Sequence, residues 1–301
     1  MCIRDSKYSV DLLAAINGSP TQGFGYTTLM TNNGKMVNRG VEITLSGEII
    51  RQKDFSWNAS LLYAFNRNKV KHISVQPSLW DSRISMPTSY PMVGKPLYGI
   101  YAYKWAGLNE NGDPQVYDAE NNVTSGPARD YHALVYCGTT VPIHNASLTN
   151  VLRYKGFEFS AMLILDAGHK LRSSNIPSIN MSNGRITSTA KGIVDRWTQP
   201  GDVTDVPRLL FSNDTENFNT HRTELYRYSD LFVYDASNIR LSNISLAYRV
   251  PAHWCKKISL SGARLQFNVE NVATFAFDSK ANYDLGGKVK PNYVWGLYLN
   301  F

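Results

Sequence analysis

Several features are scarce in this 301-residue chain, and each scarcity closes off a class of protein. No run approaches the roughly 18 apolar residues that a membrane-crossing helix needs, so a helical membrane protein is excluded. Cysteine occurs only as Cys2, Cys137 and Cys255. An odd number with no CxxC spacing implies neither a zinc site nor a disulfide framework. The 31 Lys and Arg outnumber the 24 Asp and Glu, for a net charge of +7, yet they form no run and no basic helix. Solvated loops, not nucleic acid, account for them. The histidines, His72, His132, His144, His169, His221 and His253, are scattered without an HExxH, and neither GxSxG nor a P-loop is present. The chain carries no cofactor signature and does not read as an enzyme. Met1 to Ser6 lacks the basic and apolar regions of a signal peptide, and strand-like sequence begins at Lys7. We therefore expect the carboxy-terminal part of something longer, with residues 1–6 open to being a non-native leader.

Aromatic residues and period-2 alternation are plentiful. The 18 Tyr and 6 Trp exceed the needs of a generic core and suit aromatic girdles at two membrane interfaces. At the end of the chain Tyr293, Trp295, Leu297, Leu299 and Phe301 alternate with Asn292, Val294, Gly296, Tyr298 and Asn300. A strand sends alternate side chains to opposite faces, so five large apolar groups share one side. That pattern suggests the closing strand of a membrane β-barrel, with Trp295 and Phe301 at the barrel-closing terminus.

Three hairpins repeat the signal. Val41, Ile43, Leu45 and Ile49 alternate with polar residues and lead through 51–54 into Phe55, Trp57, Ala59, Leu61, Tyr63 and Phe65. Ala146, Leu148, Leu152 and Tyr154 turn at 155–156 into Phe157, Phe159, Ala161, Leu163 and Leu165. The third joins 238–250 to 258–272, and a change of phase predicts a bulge near Ser242 and Asn243. Spans of about ten residues suit a tilted membrane crossing. Barrels of this kind have short periplasmic turns and long outer loops, so 51–54, 155–156 and 251–257 are expected in the periplasm. The stretches 16–37, 67–143, 168–234 and 273–291 are then extracellular, and Phe301 is periplasmic. An ascending strand at 7–15 and the final strand bring the count to eight, and 97–108 with 131–137 is a candidate further pair. The fold class expected is all-β: part of an antiparallel transmembrane β-barrel, about 8–10 strands, with long extracellular loops.

Several ordered motifs resemble the late barrel of SusC/RagA-type TonB-linked outer-membrane proteins. They are Asn38-Arg-Gly-Val-Glu-Ile43, Asp54-Phe-Ser-Trp57, Asn66-Arg-Asn-Lys-Val70, Val93-Gly-Lys-Pro-Leu-Tyr98, Gly107-Leu-Asn-Glu-Asn-Gly-Asp-Pro114, Arg196-Trp-Thr-Gln-Pro-Gly-Asp202 and Tyr234-Asp-Ala-Ser-Asn-Ile-Arg-Leu-Ser-Asn-Ile-Ser-Leu246. The resemblance implies a roughly 22-stranded barrel with a plug, in the outer membrane of a Gram-negative bacterium. It also implies TonB-energised import of oligosaccharides or peptides with a SusD-like nutrient-binding lipoprotein. Residues 7–301 would be the carboxy-terminal portion of that barrel, in contact with outer-membrane lipid and lacking the plug, the TonB-contacting region and the first half of the wall. An outer-membrane porin or adhesin and a soluble glycan-binding β-protein remain as alternatives.

Candidate ligand contacts are the loop aromatics Trp80, Tyr90, Tyr101, Trp105 and Trp197, because flat, partly polar rings stack on sugars and peptide side chains at little entropic cost. An aromatic collar, or for Trp197 a loop-ordering role, competes with that reading. Asp113, Asp118, Asp202 and Asp205 offer oxygen to a hard cation, but turn formation explains Asn-Gly-Asp-Pro at 111–114 equally well. No metal is assigned. Asn58 and Asn243 begin Asn-x-Ser triplets inside predicted spans, a placement that argues against glycosylation.

Overall fold

The computed structural model describes residues 2–17, 28–73, 82–126, 130–181, 190–211, 220–257, 259–286 and 290–301. Among them eight strands build one antiparallel sheet: β1 (Cys2–Asn17), β2 (Thr28–Arg51), β3 (Phe55–Ile73), β4 (His144–Tyr154), β5 (Phe157–Ala167), β6 (Asn238–Arg249), β7 (Gly262–Ala276) and β8 (Asn292–Asn300). Sheet order equals chain order, so the wall is a meander with β1 and β8 as its edges. The short links β2–β3 and β4–β5 lie at one end, here called the lower end, together with β6–β7, which runs over 250–261 and holds the helix Ala252–Lys256. The other links lie at the opposite end.

Cross-strand register turns the alternation of single strands into two continuous faces. On one face Leu45 stands opposite Leu61, then Leu148, Leu163, Leu241 and Ala273. A lower row runs Trp57, Leu152, Phe159, Leu246, Phe267 and Trp295. The lowest runs Phe55, Tyr154, Phe157, Tyr248, Leu265 and Leu297. Many of these large side chains are exposed, with Trp295 at 78%. The matching row of the opposite face runs Ser46, Ser60, Thr149, Met162, Asn243, Glu270 and Asn292, polar on every strand of the row but β5. An apolar stretch of about ten residues rises ~33 Å along a strand, or ~23 Å at a ~45° tilt, close to the height of a barrel's lipid band. Aromatic contacts line its lower rim, including Phe157 with Tyr248 at 4.5 Å and Phe267 with Trp295 at 4.2 Å between ring centroids.

Some expectations need correction. The strands of the first hairpin run far past the last apolar residue, and β3 continues to Ile73. Apolar periodicity detects only the part that faces lipid, whereas the backbone ladder continues wherever both chains stay extended. For the same reason β2 already begins at Thr28, inside the expected loop at 16–37, of which residues 18–27 lie outside the described set. β1 spans Cys2–Asn17, not only 7–15. A register shift between Glu48 and Ile50 leaves Ile49 out of the ladder and sets Ile50 opposite Trp57, so the odd-numbered apolar face of β2 holds only as far as Gly47. The bulge expected near Ser242 is present, as a shift between Leu241 and Asn243 on both sides of β6. The candidate extra spans are no part of the wall: Gly99–Tyr103 pairs with Leu134–Thr139 in a separate two-stranded sheet. All five residues of Gly99–Tyr103 are buried, so the strand belongs to a packed core and not to a surface between lipid and water.

That core lies in the long upper connections. Tyr101, Tyr103, Val116, Ala133, Leu134 and Leu225 form one buried cluster, and Ile179, Tyr226 and Phe232 a second. Trp105 packs against both and joins them.

Candidate functional site

Two surfaces can bear function: the polar face of the wall and the loop cap above it. On the polar face carboxylates bridge strands. Glu158 on β5 accepts from Arg153 Nε on β4 at 2.8 Å and from an Arg264 amino group on β7 at 3.1 Å. Asp166 accepts from Asn145 at 2.7 Å and Arg240 at 2.9 Å. Gln266 donates to Ser245 Oγ and Asn268 Oδ1, and the Ser46 and Ser60 hydroxyls meet at 2.7 Å. Hydrated pairs of this kind contribute about 0–1 kcal/mol each. Their effect is to present a wet wall studded with both signs of charge.

The cap is held differently. Asn109 Oδ1 accepts from the backbone N–H groups of Asn111 and Asp113, which closes a tight turn with Gly112 at φ +73°. A Cβ at Gly112 would lie 2.4 Å from the Trp197 ring. Two sequence motifs far apart in the chain thus dock by the bare backbone of one under the indole of the other. Beside that contact Asp113 Oδ1 accepts from Arg208 Nε at 3.1 Å and Arg222 Nε at 3.0 Å, while its Oδ2 accepts from Arg208 at 2.8 Å. Arg222, 3% exposed, also donates to the carbonyls of Ile179 and Arg208 and to Asn180 Oδ1. Burial lowers the pKa of Arg222 and Asp113 offsets this; arginine stays charged throughout. One carboxylate and one guanidinium thereby join the 109–117 hairpin, the 179–181 segment, Arg208 and the helix Thr220–Arg227. Trp105 Nε1 donates to Asp205 at 3.0 Å and adds a further tie.

The cap is bolted to the wall at its upper end. Gly94 N–H donates to Val70 O and Val70 N–H to Lys95 O, while Leu97 N–H reaches Asn68 Oδ1. Val70 and Met36, both on the polar-face parity of the wall, are buried. Ser173 and Ser174 bond to Asp284, just beyond β7. Lys170 donates to Asp235 at 3.0 Å, and Ser237 Oγ accepts from Gly168 N–H. Burial would raise the pKa of Asp235, but hydrogen bonds from Ser237 and Lys170 outweigh it and hold the carboxyl at about 2.

The aromatic candidates separate by position. Trp80 lies outside the described residues. Tyr101 is 1% exposed, accepts from Met92 N–H and lies under Arg83, so it is part of the core. Tyr90, Trp105 and Trp197 are half-buried. The acidic candidates have local duties: Asp118 accepts from Asn122, Asp202 from Thr198 and Gln199, Asp205 from Trp105, and Asp113 from two arginines. Burial pushes the Cys137 thiol up to about 11, leaving it protonated and unreactive near neutral pH. Trp295, on the apolar face of the edge strand β8, packs against Phe267 with the two rings tilted. Phe301 follows that strand, 92% exposed, with its carbonyl accepting from Ser261 Oγ. Sequence reasoning missed Arg208 and Arg222; only the Asp113 motif beside them was legible, and nothing local marks the arginines as its partners.

No family model matches the chain. It is similar to TonB-dependent receptor P3 of Formosa agariphila, 24% identical over 294 residues, which cover 91% of this chain and 28% of that protein. It is also similar to TonB-dependent receptor SusC of Bacteroides thetaiotaomicron, 22% identical over 263 residues, covering 83% of this chain and 24% of the relative. A chain of the RagAB peptide transporter superposes with a TM-score of 0.72 at 21% identity, covering 99% of this chain and 32% of that one. The chain thus spans between a quarter and a third of the length of these proteins. These relatives are receptors and a transporter, not enzymes, and the wall described above has the fold of a transporter barrel that is not closed here.

Proposed function

We propose that residues 7–301 are the carboxy-terminal wall and extracellular cap of a SusC/RagA-type TonB-dependent outer-membrane transporter. The observation that carries this reading is the register of the eight-strand meander, in which the strands whose side chains are described share one apolar face and one mainly polar face. A soluble antiparallel sheet packs such an apolar face into a core, whereas here its large side chains stay exposed, as suits a barrel wall between lipid and water. In this reading the lower turns are periplasmic and the cap is extracellular. β8 pairs with the first strand of the complete barrel, and Trp295 and Phe301 sit at the closing seam. The plug and the segment that engages TonB would come from the remainder of the parent protein.

The cargo proposed is an oligosaccharide or an oligopeptide, delivered by a SusD-like lipoprotein seated on the cap. Both cargo classes are rich in hydrogen-bonding groups, which suits a wet wall lined by Arg153, Glu158, Asp166 and Arg240. Tyr90, Trp105 and Trp197 keep part of their surface open and are the proposed stacking residues; Tyr101 serves the core of the cap. The test is uptake of labelled oligosaccharides and oligopeptides by cells carrying the intact protein, with and without a protonophore. Uptake of one class that stops when the proton gradient collapses supports the proposal. Uptake indifferent to the gradient would point to a passive porin.

A further inference from the structure

The apolar face of the first hairpin does not fade into neutral loop sequence at its upper end. It becomes a cleft of about 400 Å³ lined by Val37, Arg39, Phe65, Arg67, Lys69 and Lys71. Register places Arg39 directly opposite Arg67 and Val37 opposite Lys69, on the same face as Val41, Phe65, Ile43 and Tyr63 just below. A register shift between Lys35 and Met36 takes Lys71 out of the ladder, and it lines the same cleft. All four cations are exposed, and none makes an ion pair among the described residues. Like charges directly opposite in a ladder are destabilising. On the polar face, by contrast, Arg153 and Arg264 converge on a carboxylate. A cationic cluster with no ion pair among the residues whose side chains are described is suited to an anion from outside.

Resting on the membrane orientation proposed above, we infer that this cleft binds the phosphate-bearing headgroup of an outer-leaflet glycolipid, whose acyl chains lie on the apolar band beneath. The geometry asks for an amphiphile. Residues two apart on a strand are ~6.6 Å apart, so the cations begin one step above Phe65 and Val41, where a lipid's headgroup meets its tails. Arginine forks give paired hydrogen bonds to phosphate oxygens, and the lysines add point charge. A free phosphate would use the cations but leave the adjoining apolar surface without a role.

The test is native mass spectrometry of the intact protein in detergent, offered diphosphoryl lipid A, its dephosphorylated form, or diphosphoryl lipid A with excess inorganic phosphate. The wild type should retain the phosphorylated lipid, and combined Arg39→Gln, Arg67→Gln, Lys69→Gln and Lys71→Gln should lower retention about ten-fold or more. Arg39→Lys with Arg67→Lys keeps the charge but loses the paired hydrogen bonds, and should retain clearly more lipid than the glutamine variant, which separates charge from misfolding. Equal retention by the glutamine variant, equal retention of the dephosphorylated lipid, or displacement by inorganic phosphate would each overturn the inference. Heat-modifiable migration of the same samples reports separately on the barrel: its absence would overturn the membrane reading itself.

Discussion

The wall and the cap are made of the same chain but held by opposite means. In the wall, stability is periodic and local: each strand pairs with its neighbour in sequence, and charged contacts such as Arg153–Glu158 are half-hydrated and individually weak. In the cap, stability rests on a few distant and buried contacts, such as Asp113 with Arg222 across 109 positions. The difference teaches where a single change should matter. A wall of repeated pairs tolerates the loss of one pair, whereas a knot that joins four segments through one carboxylate and one guanidinium does not.

The largest effect expected is therefore at that knot. Asp113→Ala leaves Arg208 and the buried Arg222 without their shared anion, a loss worth about 3–5 kcal/mol for a buried pair broken on one side. Limited proteolysis should then cut the cap, while heat-modifiable migration of the wall stays unchanged. Concerted loss of both would mean that the two regions are one cooperative unit.

A smaller cost, about 1–3 kcal/mol, is expected for Gly112→Ala, which forces a Cβ against the Trp197 ring and a side chain into a left-handed backbone. Tryptophan fluorescence should report a more hydrated Trp197. An unshifted spectrum with unchanged protease resistance would remove the docking of the two motifs from the account.

On the wall, Glu158→Gln should change stability by no more than about 1 kcal/mol, because its partners stay hydrated. An effect as large as that of Asp113→Ala would erase the contrast between the regions.

The smallest effect concerns pH. Asp235 has its pKa lowered from 3.8 to about 2, so its contribution is complete above pH 3.8 and is lost as the pH falls toward 2. The side chain is partly exposed, and the expected outcome is a local loosening of the Lys170–Arg172 strand against Val233–Asp235. Proteolysis with an acid-active protease should show it, and Asp235→Asn should abolish its pH dependence.

Legibility in the sequence follows the same division. The turns at 51–54 and 155–156, the alternate faces and the bulge at Ser242 could all be read, because each is written within about 20 residues as a period or a change of phase; the third connection was read too short, since it holds the helix Ala252–Lys256 and β7 starts at Gly262, not at 258. The upward extension of β2 and β3 could not, since Asn66 to Val70 carries no apolar alternation above the lipid band. The cap was visible only as motifs. Gly112 and Trp197 each belong to a recognisable phrase, but nothing in either says that one is the seat of the other, and Arg222 carries no local mark at all. The burial of Tyr101 was hidden for the same reason: an aromatic in a long loop reads alike whether it faces a ligand or a core.

The most direct test of the two-faced wall is a cysteine scan of residues 146–152 in the intact protein, reconstituted in bilayers and spin-labelled in a background without other accessible thiols. Leu148 and Leu152 should be accessible to oxygen dissolved in lipid, and Ser147, Thr149 and Val151 to a water-soluble relaxant, with strict alternation between them. Accessibility without a period of two, or water reaching both faces equally, would contradict the wall and with it the transporter.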